Sequence, residues 1–210
     1  LSIGNAVPFA IGGFSSRTVQ TVVAEGEPVG FIRGYKAVLN PDNSLKEILP
    51  LQNLGSTLPT AYGNFSLSAS YKNLSFMLSG DYQYGAYVHS FDRQFRFSKG
   101  LKDDAIPEKA LEGLDQGANW LNFTNFFVEK SDFLKIRNIG IAYDYKPKKY
   151  LKSVNLAFNV YNPFAFTASS VDPEAALAGA RSQGAVAVGG LNYSSYSTPR
   201  QYVGTIRVSF

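Results

Sequence analysis

Apolar and polar side chains alternate in register over long stretches of this chain, and the two clearest stretches sit back to back. Tyr62 to Tyr71 sets Phe65, Leu67, Ala69 and Tyr71 on one face against Asn64, Ser66, Ser68 and Ser70 on the other. Leu74 to Tyr84 repeats the pattern, with Leu74, Phe76, Leu78, Gly80, Tyr82 and Tyr84 against Ser75, Met77, Ser79, Asp81 and Gln83. Successive side chains of a strand point to opposite faces, so two such arms across Lys72-Asn73 predict a β-hairpin with one apolar and one wet face. The final stretch, Arg200 to Phe210, carries Tyr202, Gly204, Ile206, Val208 and Phe210 on one face and Gln201, Val203, Thr205, Arg207 and Ser209 on the other. A strand crossing a membrane needs roughly 9–11 residues, an apolar face and rings at its ends. A face strand of a soluble β-sandwich fits the same eleven residues.

Two further strands follow from the same period. Asp132 to Tyr145 places Ile139, Ile141, Tyr143 and Tyr145 on one parity, but Phe133, Lys135 and Arg137 share that parity. Ser153 to Phe166 sets Val154, Leu156, Phe158 and Val160 opposite Asn155, Ala157, Asn159 and Tyr161. Arg17 to Ala24 and Val29 to Val38 are weaker strands around the turn Glu25-Gly26-Glu27-Pro28. Residues 1–16, punctuated by Gly and Pro, read as loop. The connections sort by length: short near 25–28, 72–73 and 146–152, long near 39–61, 85–131 and 167–199, with one short helix over 107–112. Short turns at one rim and long loops at the other are the habit of an outer-membrane barrel, and a sandwich has no reason to sort them so.

Composition points the same way. Aromatic residues make up 14% of the chain and charged residues 17%, a Tyr- and Phe-rich, charge-poor balance that fits a membrane barrel better than a cytosolic enzyme. The net charge of +4 is too weak for a nucleic-acid partner. Its densest cluster, Lys146, Lys148, Lys149 and Lys152, reads as a solvated turn first and as a contact for an anionic surface second. There is no Cys, hence neither a disulfide framework nor a thiolate zinc site. No run approaches the ~18 apolar residues of a membrane helix, which says nothing against a barrel strand. The first residues show neither an initiator Met nor a signal-peptide pattern, as expected of a processed chain or part of a longer one.

Catalytic chemistry is not indicated. The single His89 cannot build a typical zinc site, and no Gly-x-Ser-x-Gly elbow accompanies it for a triad. Gly30 and Gly34 precede no helix pattern and do not make a dinucleotide fingerprint. Asp103, Asp104, Glu108, Glu112 and Asp115 lack EF-hand spacing and read as solvated loop charge. No catalytic residue, metal site or cofactor is expected. Rings in the long connections, among them Phe91, Phe95, Phe97 and Phe123, read first as packing loops on one another. The alternative, flat contact area for a ligand, names Trp120, Phe126, Tyr193 and Tyr196.

Four stretches resemble one family. Glu25-Gly26-Glu27-Pro28-Val29-Gly30-Phe31-Ile32-Arg33-Gly34-Tyr35 resembles the EG-x-P-(I/V)-G-x-x-x-GY stretch of the SusC/RagA family of TonB-linked outer-membrane transporters. Asp132 to Tyr143 is similar to its SFL(R/K)(L/I)RNI-x-(L/I)-x-Y strand. Val171-Asp172-Pro173-Glu174 looks like its DPE, and Pro199-Arg200-Gln201-Tyr202 with Phe210 like its PR-x-Y…F ending. Tyr161-Asn162-Pro163-Phe164 departs from the family's more frequent Asn-Leu-Phe. The resemblance implies an all-β fold, a transmembrane antiparallel β-barrel, with residues 1–210 forming the C-terminal part, about seven strands, of a larger 22-stranded barrel whose plug is not in this chain. It implies TonB-dependent import of oligomeric nutrients, glycan or peptide, across a Gram-negative cell outer membrane. The partners implied are outer-membrane lipid, a SusD-like surface lipoprotein on extracellular loops 39–61, 85–131 and 167–199, TonB acting through the absent plug, and the barrel-assembly machinery reading Tyr202, Gly204, Ile206, Val208 and Phe210. Two other readings stand beside it: a complete small outer-membrane barrel acting as pore or adhesin, and a soluble β-sandwich binding module.

Overall fold

A computed structural model describes residues 9–13, 20–147, 151–172, 174, 191–192 and 196–210. Among them are twelve strands: β1 (Phe9–Gly13), β2 (Gln20–Val23), β3 (Phe31–Leu39), β4 (Leu45–Ser56), β5 (Ala61–Tyr71), β6 (Leu74–Tyr84), β7 (Tyr87–Ser90), β8 (Val128–Lys130), β9 (Phe133–Tyr145), β10 (Ser153–Thr167), β11 (Leu191–Asn192) and β12 (Gln201–Ser209). Two short helices, α1 (Phe91–Ser98) and α2 (Gln116–Asn119), lie between β7 and β8 with 3-10 segments at Glu108–Leu111 and Trp120–Phe127. No helix is long and apolar enough to cross a membrane among the described residues. The chain divides into two compact units, 1–60, 84–132 and 168–197 in one and 61–83, 133–167 and 198–210 in the other.

The second unit is a wall of five strands in the order β12-β10-β9-β6-β5. Its β10 pairs antiparallel with β9 and β12, and β6 with β9. The alternation read from the sequence sets this pairing, because in-register apolar residues must share a face. Leu74, Tyr143, Leu156 and Ile206 lie side by side, then Phe76, Ile141, Phe158 and Gly204, then Leu78, Ile139, Val160 and Tyr202. Between them run rows of the other face: Ser75, Ala142, Ala157 and Thr205, and Ser79, Asn138, Tyr161 and Gln201. Many apolar side chains of the first face are exposed, Ile206 to 73% and Ile141 to 47%, so nothing within this unit covers them.

The mixed parity of Asp132–Tyr145 has a physical resolution. Ser79 pairs with Asn138 but Gly80 with Ile136, so Arg137 is an extra residue in β9. This β-bulge flips parity, moving Ile136 and Leu134 onto the apolar face with Gly80 and Tyr82. Lys135, opposite Asp81, falls on the polar face. On the other flank, Asn162 and Pro163 of β10 lie between the pairs Tyr161–Asn138 and Phe164–Ile136. Two extra residues restore parity there, and Asn162 takes a left-handed φ of 51°, which Asn tolerates better than most residues.

The first unit corrects four sequence expectations. Residues 39–61, read as a long loop, contain the twelve-residue β4, which completes the sheet β1-β2-β3-β4. Residues 9–13, read as loop, supply β1. Residues 85–131 are not a mostly irregular loop either, and 107–112 holds a 3-10 turn rather than an α-helix. This insert has a core of its own, Phe97, Ile106, Ala110, Phe123 and Phe127 packed on Ala37 of β3. The Phe97 ring lies 5.8 Å from Phe123 and 5.5 Å from Phe127. Helix α1 buries Gln94 and Phe97. It stops at Gly100, at φ 83°, where the Gly100 and Leu101 amides donate to the carbonyls of Phe97 and Arg96 in a Schellman closure. β7 pairs with β8 and, in parallel, with β11.

Candidate functional site

A wall strand acts through its two faces and its ends. The apolar face is completed by β12, which supplies Tyr202, Ile206 and Val208, with Phe210 following the strand and 79% exposed. Gly204 leaves a gap: a Cβ there would meet nothing within 4 Å. Leu74, Ile141, Leu156, Phe158 and Ile206 border the resulting groove, which has a volume of about 490 Å³. The rings of Phe158 and Tyr202 stack at 6.5 Å on its border. Thus the sequence-predicted strand residues Tyr202, Gly204, Ile206 and Val208 share one face, as the alternation required.

The polar face carries a fixed charge pair. The Arg137 guanidinium holds Asp81 through two bonds, Nε to Oδ1 at 2.5 Å and Nη2 to Oδ2 at 2.8 Å. Both side chains are about 30% exposed, and the planar fork matches the carboxylate. The bulge at Arg137 therefore places a cation where it meets Asp81, and keeps that cation off the apolar face.

The entry of β12 is latched to β10. Arg200 Nη2 donates to the Pro163 carbonyl at 2.5 Å, and its guanidinium lies 5.9 Å from the Phe164 ring centre. Asn162 Nδ2 donates to the Pro199 carbonyl at 3.3 Å. The departure at Tyr161-Asn162-Pro163-Phe164 is thus the receptor for Pro199-Arg200. Sequence reasoning singled out both stretches without joining them, because 37 residues separate them.

In the first unit a charge network ties the insert together. Arg93 of α1 pairs with Asp103, at 2.5 Å, and with Glu129 of β8. Glu129 also accepts from the Ser170 amide and hydroxyl. Burial works against the Arg93 charge, but the two carboxylates outweigh it and raise its pKa. Burial likewise opposes ionisation of Asp103, and the Arg93 bond overcomes it, lowering the carboxyl below its usual range. Sequence reading missed Arg93 and Glu129; an Arg inside an aromatic-rich segment was the available signal.

Three further contacts fix the insert. Asn125 accepts the Ala37 amide at 2.9 Å and donates to the Ala37 carbonyl at 3.3 Å. Asp42 accepts from Lys109 at 2.6 Å, and this bond, with help from Ser44, holds its carboxyl well below the usual range. His89, the only histidine, is fully buried. Its Nε2 lies 2.5 Å from Gln94 Oε1, and Gln94 donates onward to Thr124 Oγ1 at 2.9 Å. Burial pushes its pKa down to about 4 against a partial upward pull from Gln94, so the ring is neutral at pH 7. A concave site of about 610 Å³ opens beside the insert, bordered by Lys102, Asp104, Glu108, Glu112 and Gln116. Among the described residues no three His, Asp or Glu side chains converge as metal ligands.

The loop rings do not form one exposed surface among the described residues. Trp120 and Phe126 are half-buried against the insert core, Tyr196 is 95% exposed, and Tyr193 lies outside the described residues. The glycines of the Glu25–Tyr35 motif serve the backbone. Gly26 and Gly30 take φ of 80° and 75°, and a Cβ on Gly34 would come within 2.7 Å of Thr124.

No family model and no curated protein matches the chain. Solved structures do. The chain is similar over its whole length to a chain of the RagAB peptide importer in an open-open state, with 19% identity and a TM-score of 0.64. It is similar over 94% of its length to a structure of the RagAB peptide transporter, at 19% identity and 0.60, and over 98% to the importer in a closed-closed state, at 20% and 0.58. In each case it spans about a quarter of the solved chain, 23–25%. At such identity the likeness is one of fold: the chain has the architecture of a RagA-type β-barrel segment.

Proposed function

We propose that this chain is a stretch of barrel wall and loops in a TonB-linked importer of oligomeric nutrients in a Gram-negative outer membrane. The observation that carries the reading is the apolar face running unbroken over β6, β9, β10 and β12, maintained through a bulge that sends the cationic residues to the other side. A face so exposed requires a low-polarity medium, and lipid supplies it. The opposite face, with Ser79, Asn138 and the Asp81–Arg137 pair, suits a wet lumen. The soluble-sandwich reading would need a second layer over the apolar rows, and the fold likeness is to a barrel.

On this reading 39–61, 85–131 and 167–199 lie on the extracellular side, and a SusD-like lipoprotein docks there. Trp120, Phe126, Tyr193 and Tyr196 are the rings available for contact. TonB acts through a plug carried elsewhere, and the barrel-assembly machinery reads Tyr202, Gly204, Ile206, Val208 and Phe210. The solved chains of similar fold belong to a peptide importer, which favours oligopeptides over glycans as cargo and a transport rather than a catalytic role.

Uptake of labelled oligopeptides and oligosaccharides by cells with and without the full-length protein tests this. Energy-dependent peptide uptake should require the protein. Peptide and oligosaccharide entry that is the same in both strains would overturn the importer reading.

A further inference from the structure

The geometry points to a binding site for an anionic phospholipid at the short-turn end of the wall, with lysine ammoniums for the headgroup and the Gly204 groove for an acyl chain. It rests on the apolar face contacting lipid, as proposed above.

The pairing brings three lysines to one end of neighbouring strands. Lys72 occupies the turn between β5 and β6, Lys146 follows β9, and Lys152 precedes β10. The Asp144 amide donates to the Asn73 carbonyl at 2.8 Å, and the Lys152 amide to the Ser209 carbonyl at 2.8 Å, so the two turns and the end of β12 lie at the same rim. All three lysines are exposed. The acidic residue of the rim does not neutralise them on the apolar side: Asp144 accepts from Asn155 on the polar face, at 2.8 Å. Lys72 is drawn over an apolar-face ring, its Nζ lying 5.2 Å from the centre of Tyr71. Tyr71, Tyr143 and Tyr145, all exposed, supply the amphipathic rings that sit at a headgroup boundary.

Depth supports the pairing of headgroup and groove. Six residues separate Gly204 from the level just beyond Ser209 where Lys152 lies, about 20 Å along the strand at ~3.4 Å per residue, or about 14 Å of depth at the ~45° tilt of a membrane strand. One leaflet of hydrocarbon is about 15 Å thick. A phosphate held at the lysines therefore brings its acyl chain over Gly204, where the missing side chain leaves a channel bordered by Phe158, Ile141 and Ile206. Ammonium groups near a bilayer surface favour anionic over zwitterionic headgroups, while the groove takes either chain alike.

Native mass spectrometry of the detergent-purified full-length protein tests the site. Phosphatidylglycerol and phosphatidylethanolamine with matched chains are added in equal amounts. Retained phosphatidylglycerol should exceed phosphatidylethanolamine about fivefold or more, the ratio one near-surface lysine can supply. The combined variant Lys72→Gln, Lys146→Gln, Lys152→Gln should bring the ratio close to one. Gly204→Leu should reduce retention of both lipids and leave their ratio unchanged, with Gly204→Ala as a milder variant. A wild-type ratio near one, a ratio indifferent to the lysine variant, or retention indifferent to Gly204→Leu would overturn the site. Heat-modifiable migration and membrane flotation of the same samples separate the two levels. A folded, membrane-borne barrel without lipid preference removes the lipid site alone, whereas absence from the membrane removes the wall reading beneath it.

Discussion

Arg200 donates to the carbonyl of Pro163 across 2.5 Å, so the residue that opens the last strand is fastened to the irregularity of its neighbour. Pairing register in a sheet is specified by face and by turn, and a slip of one residue reverses every side chain. β12 is joined to β10 by no tight turn, since some 33 residues from Ala168 to Arg200 intervene. The latch supplies the reference point a hairpin turn would have given. Arg200→Ala should lower stability by about 1 kcal/mol, less than a buried charge-assisted bond contributes because the side chain is exposed. The check is the temperature at which the barrel loses its compact electrophoretic migration; an unchanged value would show that the strand finds its register without Arg200.

The two faces of β12 should differ sharply in tolerance. Ile206→Arg places a cation on the apolar row of Leu74, Tyr143 and Leu156, at an expected cost of about 2–4 kcal/mol if that row meets the bilayer interior. Thr205→Arg, one residue away on the face of Ala157, should cost little. Denaturant midpoints of both variants in lipid vesicles decide the point, and equal penalties would mean that both faces meet the same medium.

Asn125 completes the bonding of Ala37, which pairs with Ile48 of β4 on its other side. Asn125→Leu removes both bonds and strands the amide and carbonyl of a buried residue. A loss of about 1–3 kcal/mol within the first unit follows from leaving such groups unpaired. Hydrogen exchange at the Ala37 amide should accelerate in step with that loss, whereas exchange in β10 should not.

Acid should loosen the insert through His89. Its folded pKa, about 4, lies below the unfolded value of 6.5. The unfolded chain therefore binds the proton first, and stability present above pH 6.5 drains away as pH falls toward 4. At ~1.4 kcal/mol per pH unit, going from pH 7 to pH 5 should cost about 2 kcal/mol. Protection of the Val88 and Phe97 amides, corrected for intrinsic exchange, should follow this slope, and His89→Gln should flatten it.

The sequence made most of the wall legible because regular alternation survives in β5, β6, β10 and β12. It failed where the period breaks. β9 carries the bulge at Arg137, so Lys135 and Ile141 share a parity without sharing a face. β4 was hidden by Pro50 and by Leu51, which takes φ of 51°, and by three irregularities in its pairing with β3. The order of 85–131 comes from rings meeting across the chain, such as Phe97 with Phe127, and from short 3-10 segments that leave no helical period to read. The latch, the Asn125 clamp and the lysine-and-groove arrangement depend on residues far apart in sequence, and only the fold brings them together.

The bulge at Arg137 also decides where β9 can change length. Arg137 is the extra residue, so its loss alone would leave Asn138 and Ile136 as neighbours on opposite faces and their pairing with β6 unchanged, and the wall would lose only the cation that holds Asp81. Flattening the bulge with Arg137 kept would instead turn Phe133 to Ile136 over, carrying Lys135 out among the apolar rows and Ile136 in beside Asp81. Natural variants should therefore change count at this position more readily than elsewhere along β9.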